Sequence, residues 1–108
     1  MTHVQLVYCT CPNEEAAETL AKAIVGEKLA ACVNIVPGIR SIYSWKGEIC
    51  DDSESLLLIK TTADRFAALK ERLISLHPYE CPEVIATEIS DGNKAYIDWL
   101  TAQTRDAS

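Results

Sequence analysis

The sequence predicts an α+β fold whose elements follow in the order β-α-β-β-α-β, with a short helix trailing. Two segments repeat apolar residues at spacings of three and four, whereas the other apolar segments are short and rich in Val, Ile and Leu. That order is the signature of a ferredoxin-like sandwich, an antiparallel sheet with helices on one face. The 108 residues are expected to form one domain, 1–108, with a long central hairpin and a short C-terminal helix.

The first half of the chain predicts a strand, a helix and a long strand. Val4–Cys9 is the first strand, and Asn13 supplies the N-cap of a helix that should end close to Lys28. The segment from Cys32 to Trp45 is rich in Val and Ile and is interrupted by Pro37–Gly38. This pattern predicts a long strand that is bent or bulged at that point.

The long strand should turn back on itself to form the central hairpin. Lys46–Gly47 is typical of a turn, and Glu48–Cys50 can pair with the preceding strand. The acidic run Asp51–Glu54 is expected to form an exposed kink. Ser55–Thr61 then continues as a further strand.

The second half ends with a helix, a strand and a short helix. Thr61–Asp64 resembles a capping box, and the apolar spacing that follows predicts a helix running to about His77. Pro78 prevents its continuation. Val84–Ile89 is expected to be the fourth strand, and Ala95–Gln103 a terminal helix.

Composition argues against several classes of function. The formal net charge of -6 disfavours nucleic acid as a partner, because phosphate binding needs a basic surface. The apolar run "SLLLI" is far too short to cross a membrane, and "MTHVQLVYC" lacks the basic start of a signal peptide. We therefore expect a cytoplasmic protein with no nucleic acid and no membrane partner. The 5 cysteines include no C-x-x-C pair, so they are expected to be free thiols.

The hairpin is expected to drive self-association. Strands of about 11 residues reach ~36 Å, whereas a helix of about 14 residues covers only ~21 Å, so the helices cannot shield the hairpin's far end. That end carries four large apolar side chains, those of Ile42, Tyr43, Trp45 and Ile49. We expect another subunit to cover them, although this geometry does not fix the number of subunits.

The stretch "LHPYECPEV" places His77 four residues before Cys81 and frames both with prolines. The spacing would suit one helical face, but Pro78 and Pro82 exclude a helix there, so only a turn could bring the two side chains together. His77 can instead bond to the free carbonyls of a helix end. Cys9 and Cys32 lie in apolar strands, where a cysteine commonly acts as a small buried hydrophobe.

Other candidate sites are weaker. Asp51–Glu54 lacks the glycine and terminal glutamate of an EF-hand loop, and Met1–His3 has the form of an amino-terminal copper site. The evident pairing for nucleophilic catalysis is Cys81 or Cys9 with His77, and no third residue to orient the base is apparent, which argues against an enzyme. Three polar side chains could line a small-molecule pocket near His77, namely Tyr79, Glu80 and Lys60.

Four stretches together resemble the CutA family, the divalent-cation tolerance proteins: "LAACVNIVPGIRSIYSWKGEI", "LLLIKTT", "LHPYECPEVIA" and "YIDWL". The resemblance implies a homotrimer with the ferredoxin-like fold, binding of copper or another divalent cation, and a cytoplasmic role in metal tolerance. It also implies two metal ligands, Cys9 and His77. Leu76 stands where the family's first histidine would be, and Cys11 and Cys81 occupy variable positions to which no role is carried over.

A second class of function stays open. A trimer similar in fold to the nitrogen-regulatory PII proteins could hold a small molecule in clefts between subunits. Nucleotide binding there would need clustered Lys or Arg and a mobile loop in the hairpin. The apolar and aromatic hairpin sequence "SIYSWKGEI" is better suited to packing.

Overall fold

A computed structural model describes residues 3–105 of the chain. It contains one four-stranded sheet, three α-helices and a short 3-10 turn at Ala63–Arg65. In chain order the main elements are β1 (Val4–Cys11), α1 (Glu14–Gly26), β2 (Cys32–Trp45), β3 (Glu48–Thr62), α2 (Phe66–Leu76), β4 (Ile85–Glu88) and α3 (Lys94–Gln103). The predicted α+β order is confirmed.

The sheet has apolar side chains on both faces, and helices cover one face much more fully than the other. Its strands are antiparallel in the order β2-β3-β1-β4. Side chains alternate across a strand, so odd-numbered residues such as Val7, Leu57 and Ile59 face α1 and α2. There they form the main core with Leu20 and Leu69, all of them fully buried.

The opposite side of the sheet is covered at one end only. Leu100 of α3 packs there against Val4 and Ala31. Beyond α3, this side carries apolar residues that are partly or largely exposed, and we call it the open face: Leu6, Tyr8, Leu56, Leu58, Val36 and Ile85. The fold therefore leaves a continuous apolar strip uncovered.

The hairpin between β2 and β3 has the predicted turn and bulge. Lys46 and Gly47 both have positive φ, 50° and 80°, as a two-residue type I′ turn requires. The register shifts between Val36 and Ile39, and Gly38 has φ 70° at this bulge. The end of the hairpin is exposed as expected, with Ile42 at 64% and Ile49 at 78% exposure.

The predicted kink at Asp51–Glu54 is wrong. These residues lie inside β3 and pair with β2. Their charges have partners: Arg40 donates to both carboxylate oxygens of Asp51, at 2.9 and 2.7 Å, and the Tyr43 hydroxyl donates to Asp52 at 2.5 Å. Cross-strand bonds therefore stabilise an extended conformation that the acidic composition disfavours.

The first helix begins as predicted and ends early. The Asn13 side chain accepts a 2.8 Å bond from the Ala16 amide, which confirms the cap. The helix ends at Gly26 because Lys28 adopts a left-handed conformation, φ 61°, and the next amide, that of Leu29, bonds back to the Ile24 carbonyl.

The predicted capping box at Thr61–Asp64 is wrong. Thr62 remains in β3, and its hydroxyl donates to the Asp64 side chain instead of capping a helix. The 3-10 turn follows, so α2 begins only at Phe66. The strands also differ in length from the prediction: β1 is longer by two residues and reaches Cys11, and β4 is shorter at both ends.

Candidate metal centre

Cys9, Cys11 and His77 form a compact buried cluster. Their two sulfurs and one ring nitrogen all lie within 4.8 Å of one another. Cys9 and Cys11 are two apart on β1, so both side chains point from the same face of the strand into the core. His77 follows the last residue of α2 in an extended conformation, φ -73° and ψ 137°, which directs the chain back toward β1.

The His77 ring is fixed by hydrogen bonds at both nitrogens. Nε2 donates to the Thr10 carbonyl at 2.7 Å, and Nδ1 accepts from the Tyr79 amide at 3.1 Å. The acceptor role of Nδ1 places the proton of the neutral ring on Nε2. The His77 ring therefore bonds a carbonyl of β1. The prediction that it bonds the free carbonyls of its own helix is wrong.

The two thiols perturb each other. Hydrogen bonding with Cys11 raises the pKa of the Cys9 thiol, and burial raises it further. The same bond lowers the pKa of Cys11, although burial opposes the change. The two thiols therefore do not titrate independently of each other.

The other predicted site residues lie outside this cluster. Cys81 is exposed and Cys32 is half-buried. The Tyr79 hydroxyl donates to Glu54 at 2.6 Å, and Glu80 pairs with Lys46 at 3.6 Å, so neither group turns toward the two thiols. Two residues of the predicted amino-terminal copper site, Met1 and Thr2, lie outside the described residues.

A groove of about 670 Å³ adjoins the cluster. It runs between the far half of the hairpin and the segment after α2. Thr10 and Tyr79, which hold the His77 ring, also line it, together with Arg40 and the carboxylates of Glu54, Glu80 and Glu83. Lys60 is not part of this lining, since its ammonium donates to the Asn34 side chain, which corrects its predicted place in the pocket.

Sequence reasoning gave Cys11 no role because it occupies a variable position in the family pattern, and the first strand was expected to end at Cys9. The alternation Val7, Cys9, Cys11 was a usable signal, since a strand two residues longer places all three on one face. The donor set fits a metal ion: thiolate sulfur and imidazole nitrogen are the ligands that soft cations prefer.

Fold and site together define a small ferredoxin-like α+β protein with a buried thiol and imidazole cluster. A family model described as "CutA1 divalent ion tolerance protein" matches residues 5–103. The chain therefore belongs to the CutA1 divalent ion tolerance family.

Individual relatives agree with this assignment. The "Divalent-cation tolerance protein CutA" of Thermus thermophilus is 56% identical over 100 residues, which is 93% of this chain and 97% of that protein. The rice "Protein CutA 1, chloroplastic" is 51% identical, and the match covers 94% of this chain and 58% of that protein. A solved structure, "PII-like protein CutA from Nostoc sp. PCC 7120 in apo form", superposes with a TM-score of 0.87 at 37% identity, covering 94% of this chain and 97% of that one.

None of the helices in the described range 3–105 is both long and apolar enough to cross a membrane. The family is named for divalent ion tolerance, and its name refers to no enzymatic activity.

Proposed function

We propose that the protein is a homotrimeric, cytoplasmic binder of divalent cations, copper first, which acts in metal tolerance. The observation that carries this proposal is the approach of the Cys9 sulfur and a His77 ring nitrogen to within 4.8 Å in a buried position. The names of its family and of the Thermus relative support the tolerance role. The rice relative is named chloroplastic, so location differs among relatives and the cytoplasmic assignment needs its own measurement.

Cys9 and His77 would act as ligands after two local changes. The Cys9 thiol must lose its proton, because the thiolate is the form that binds metal. The imidazole must exchange one of its two hydrogen bonds for the cation. The Nδ1 lone pair is the available donor, and the bond it gives up is the longer one, 3.1 Å, to the Tyr79 amide. Leu76 packs against the core and supplies no ligand.

The open face and the hairpin end support the trimer. Both are apolar, and a lone subunit would leave them in contact with water. Burying them against neighbouring subunits would remove that cost. The number three follows the family resemblance, since the uncovered surface alone does not distinguish a trimer from a dimer.

We further propose that the protein performs no catalysis. His77 is the histidine of the cluster, and both of its nitrogens are occupied by main-chain groups. A base for nucleophilic catalysis needs one nitrogen on the nucleophile and an orienting partner on the other. The geometry of His77 does not match that requirement.

The groove supports a second candidate function, the sensing of a small molecule, as in the PII-like class to which the Nostoc structure is assigned by its name. Its three carboxylates disfavour nucleotide phosphates and suit a cationic or hydrogen-bonding ligand. A thermal-shift screen of metals, nucleotides and small amines separates the two functions, because a ligand that binds the native state raises the melting temperature.

Copper titration tests the principal proposal. The full chain carrying His3→Ala is used, since this change removes the imidazole of the amino-terminal copper site. We expect one cation per chain, and we expect Cys9→Ser and His77→Ala each to weaken binding at least tenfold. Cys81→Ser, an exposed thiol outside the cluster, is the matched control and should bind normally. Unchanged stoichiometry and affinity in both cluster variants would contradict the proposal.

A further inference from the structure

We propose that Cys11 is a third ligand, so that the site offers two thiolates and one imidazole and selects a soft d¹⁰ cation, Cu⁺ or Zn²⁺, over Cu²⁺. The inference rests on the proposed function, because it concerns the same cavity. The two proposals differ in the number of sulfur ligands per metal. Cys9 and His77 alone supply one sulfur, and adding Cys11 makes two.

The geometry needs little adjustment. Three donors at 2.0 to 2.3 Å from a central ion, arranged as a trigonal plane, lie about 4 Å apart at most. The three donor atoms here lie within 4.8 Å of one another. A contraction of under about 1 Å, within the reach of side-chain rotation, would bring them to bonding distance. Main-chain movement is not required for the two sulfurs, because β1 already presents both on one face.

The chemistry of the donors favours soft cations. Paired thiolates select Cu⁺ and Zn²⁺, whereas Cu²⁺ prefers planar nitrogen and oxygen ligation. Two adjacent buried thiolates repel each other unless a cation lies between them. Cys9 and Cys11 are fully buried and His77 is 8% exposed, so few waters can compete for the ion.

The groove provides the route of entry. Thr10 and Tyr79 separate it from the cluster, and both hold the His77 ring. Opening the Tyr79 bond to Nδ1 would free the imidazole lone pair to accept the cation. Carboxylates on the groove walls raise the local concentration of cations at that point.

The test uses the reduced full chain with His3→Ala. Cu⁺, Zn²⁺ and Cu²⁺ are each titrated anaerobically in competition with a chromogenic chelator, and the X-ray absorption of each loaded sample gives the number of sulfur neighbours. We expect two sulfurs per metal in the parent and one in Cys11→Ser, with at least a tenfold loss of affinity. Cys81→Ser should keep two sulfurs and the parent affinity. The tightest of the three titrations identifies the preferred cation, and tightest binding of Cu²⁺ overturns the proposed selectivity.

The possible outcomes separate this inference from the function on which it rests. A parent that binds one cation with a single sulfur neighbour overturns the role of Cys11 and leaves the Cys9 and His77 site standing. A parent that binds neither Cu⁺ nor Zn²⁺ but does bind Cu²⁺ overturns only the selectivity and donor set proposed here. A parent that binds no cation overturns both. If Cys11→Ser fails to fold, the sulfur count in the parent decides the question.

Discussion

The hydroxyl of Tyr79 donates a 2.6 Å hydrogen bond to Oε2 of Glu54 and so joins the segment after α2 to the middle of the hairpin. Glu54 is only 7% exposed. Burial and the bond to this carboxylate raise the pKa of Tyr79. The contact fixes one side of the groove and, through the Tyr79 amide, the orientation of His77.

Tyr79→Phe should lower the free energy of unfolding by about 1–2 kcal/mol, because it leaves the buried carboxylate without its donor. Urea denaturation measures the loss. Tyr43→Phe is the matched control: it removes a similar bond, to Asp52, at an exposed position, where water replaces the lost partner. Equal losses in the two variants would show that the burial of Glu54 has no energetic consequence.

Gly38→Ala should destabilise the protein by about 1–2 kcal/mol, since an alanine is strained at the positive φ of the bulge. Gly26→Ala provides the contrast. Gly26 closes α1, has no positive φ, and a Cβ there meets nothing within 4 Å. The Gly26→Ala substitution should stabilise the helix by up to about 1 kcal/mol. Thermal unfolding of both variants checks the opposite signs, and a shift in the same direction for both contradicts this account of the bulge.

Ile49→Glu should weaken the proposed trimer, because it places a charge on the exposed apolar end of the hairpin. Light scattering over a range of concentrations should show smaller species than the parent. Ile74→Glu is the control, since Ile74 is also an exposed isoleucine, at 50%, but lies on α2, away from the hairpin. If the parent is itself a monomer at micromolar concentration, the trimer is excluded.

Asp64→Asn should destabilise the protein in a pH-dependent way. Arg105 donates to both carboxylate oxygens and Thr62 to one of them, and these bonds hold the pKa of Asp64 well below its usual range. A depressed pKa contributes stability above the unfolded value, about 4, and this contribution is lost as the pH falls below it. Because the pair is largely exposed, the effect is at most about 1 kcal/mol at pH 7.

Denaturation of the parent and of Asp64→Asn from pH 7 to pH 3 measures this effect. The gap between the two proteins should be full at neutral pH and shrink below about pH 4. It should also shrink in high salt. A gap that stays constant over the whole range would show that the ion pair between Asp64 and Arg105 does not contribute to stability.

The sequence by itself determined the order of the elements and the shape of the hairpin. Helical spacing, the Asn13 cap, the Lys46–Gly47 turn and the bulge at Pro37–Gly38 depend on the conformational preferences of a few neighbouring residues, so they can be read locally. The resemblance to CutA supplied Cys9 and His77 as a pair, and the structure brings them together.

Only the tertiary structure decided where strands end and which distant groups meet. β1 reaches Cys11 because Ser55 of β3 lies opposite it, and the acidic run stays extended because Arg40 and Tyr43 are across from it. Likewise, His77 and Thr10 meet although they are 67 residues apart. Such contacts depend on the partner that folding brings into place. A preference carried by neighbouring residues, such as the acidic character of Asp51–Glu54, gives way when a cross-strand bond stabilises the alternative conformation.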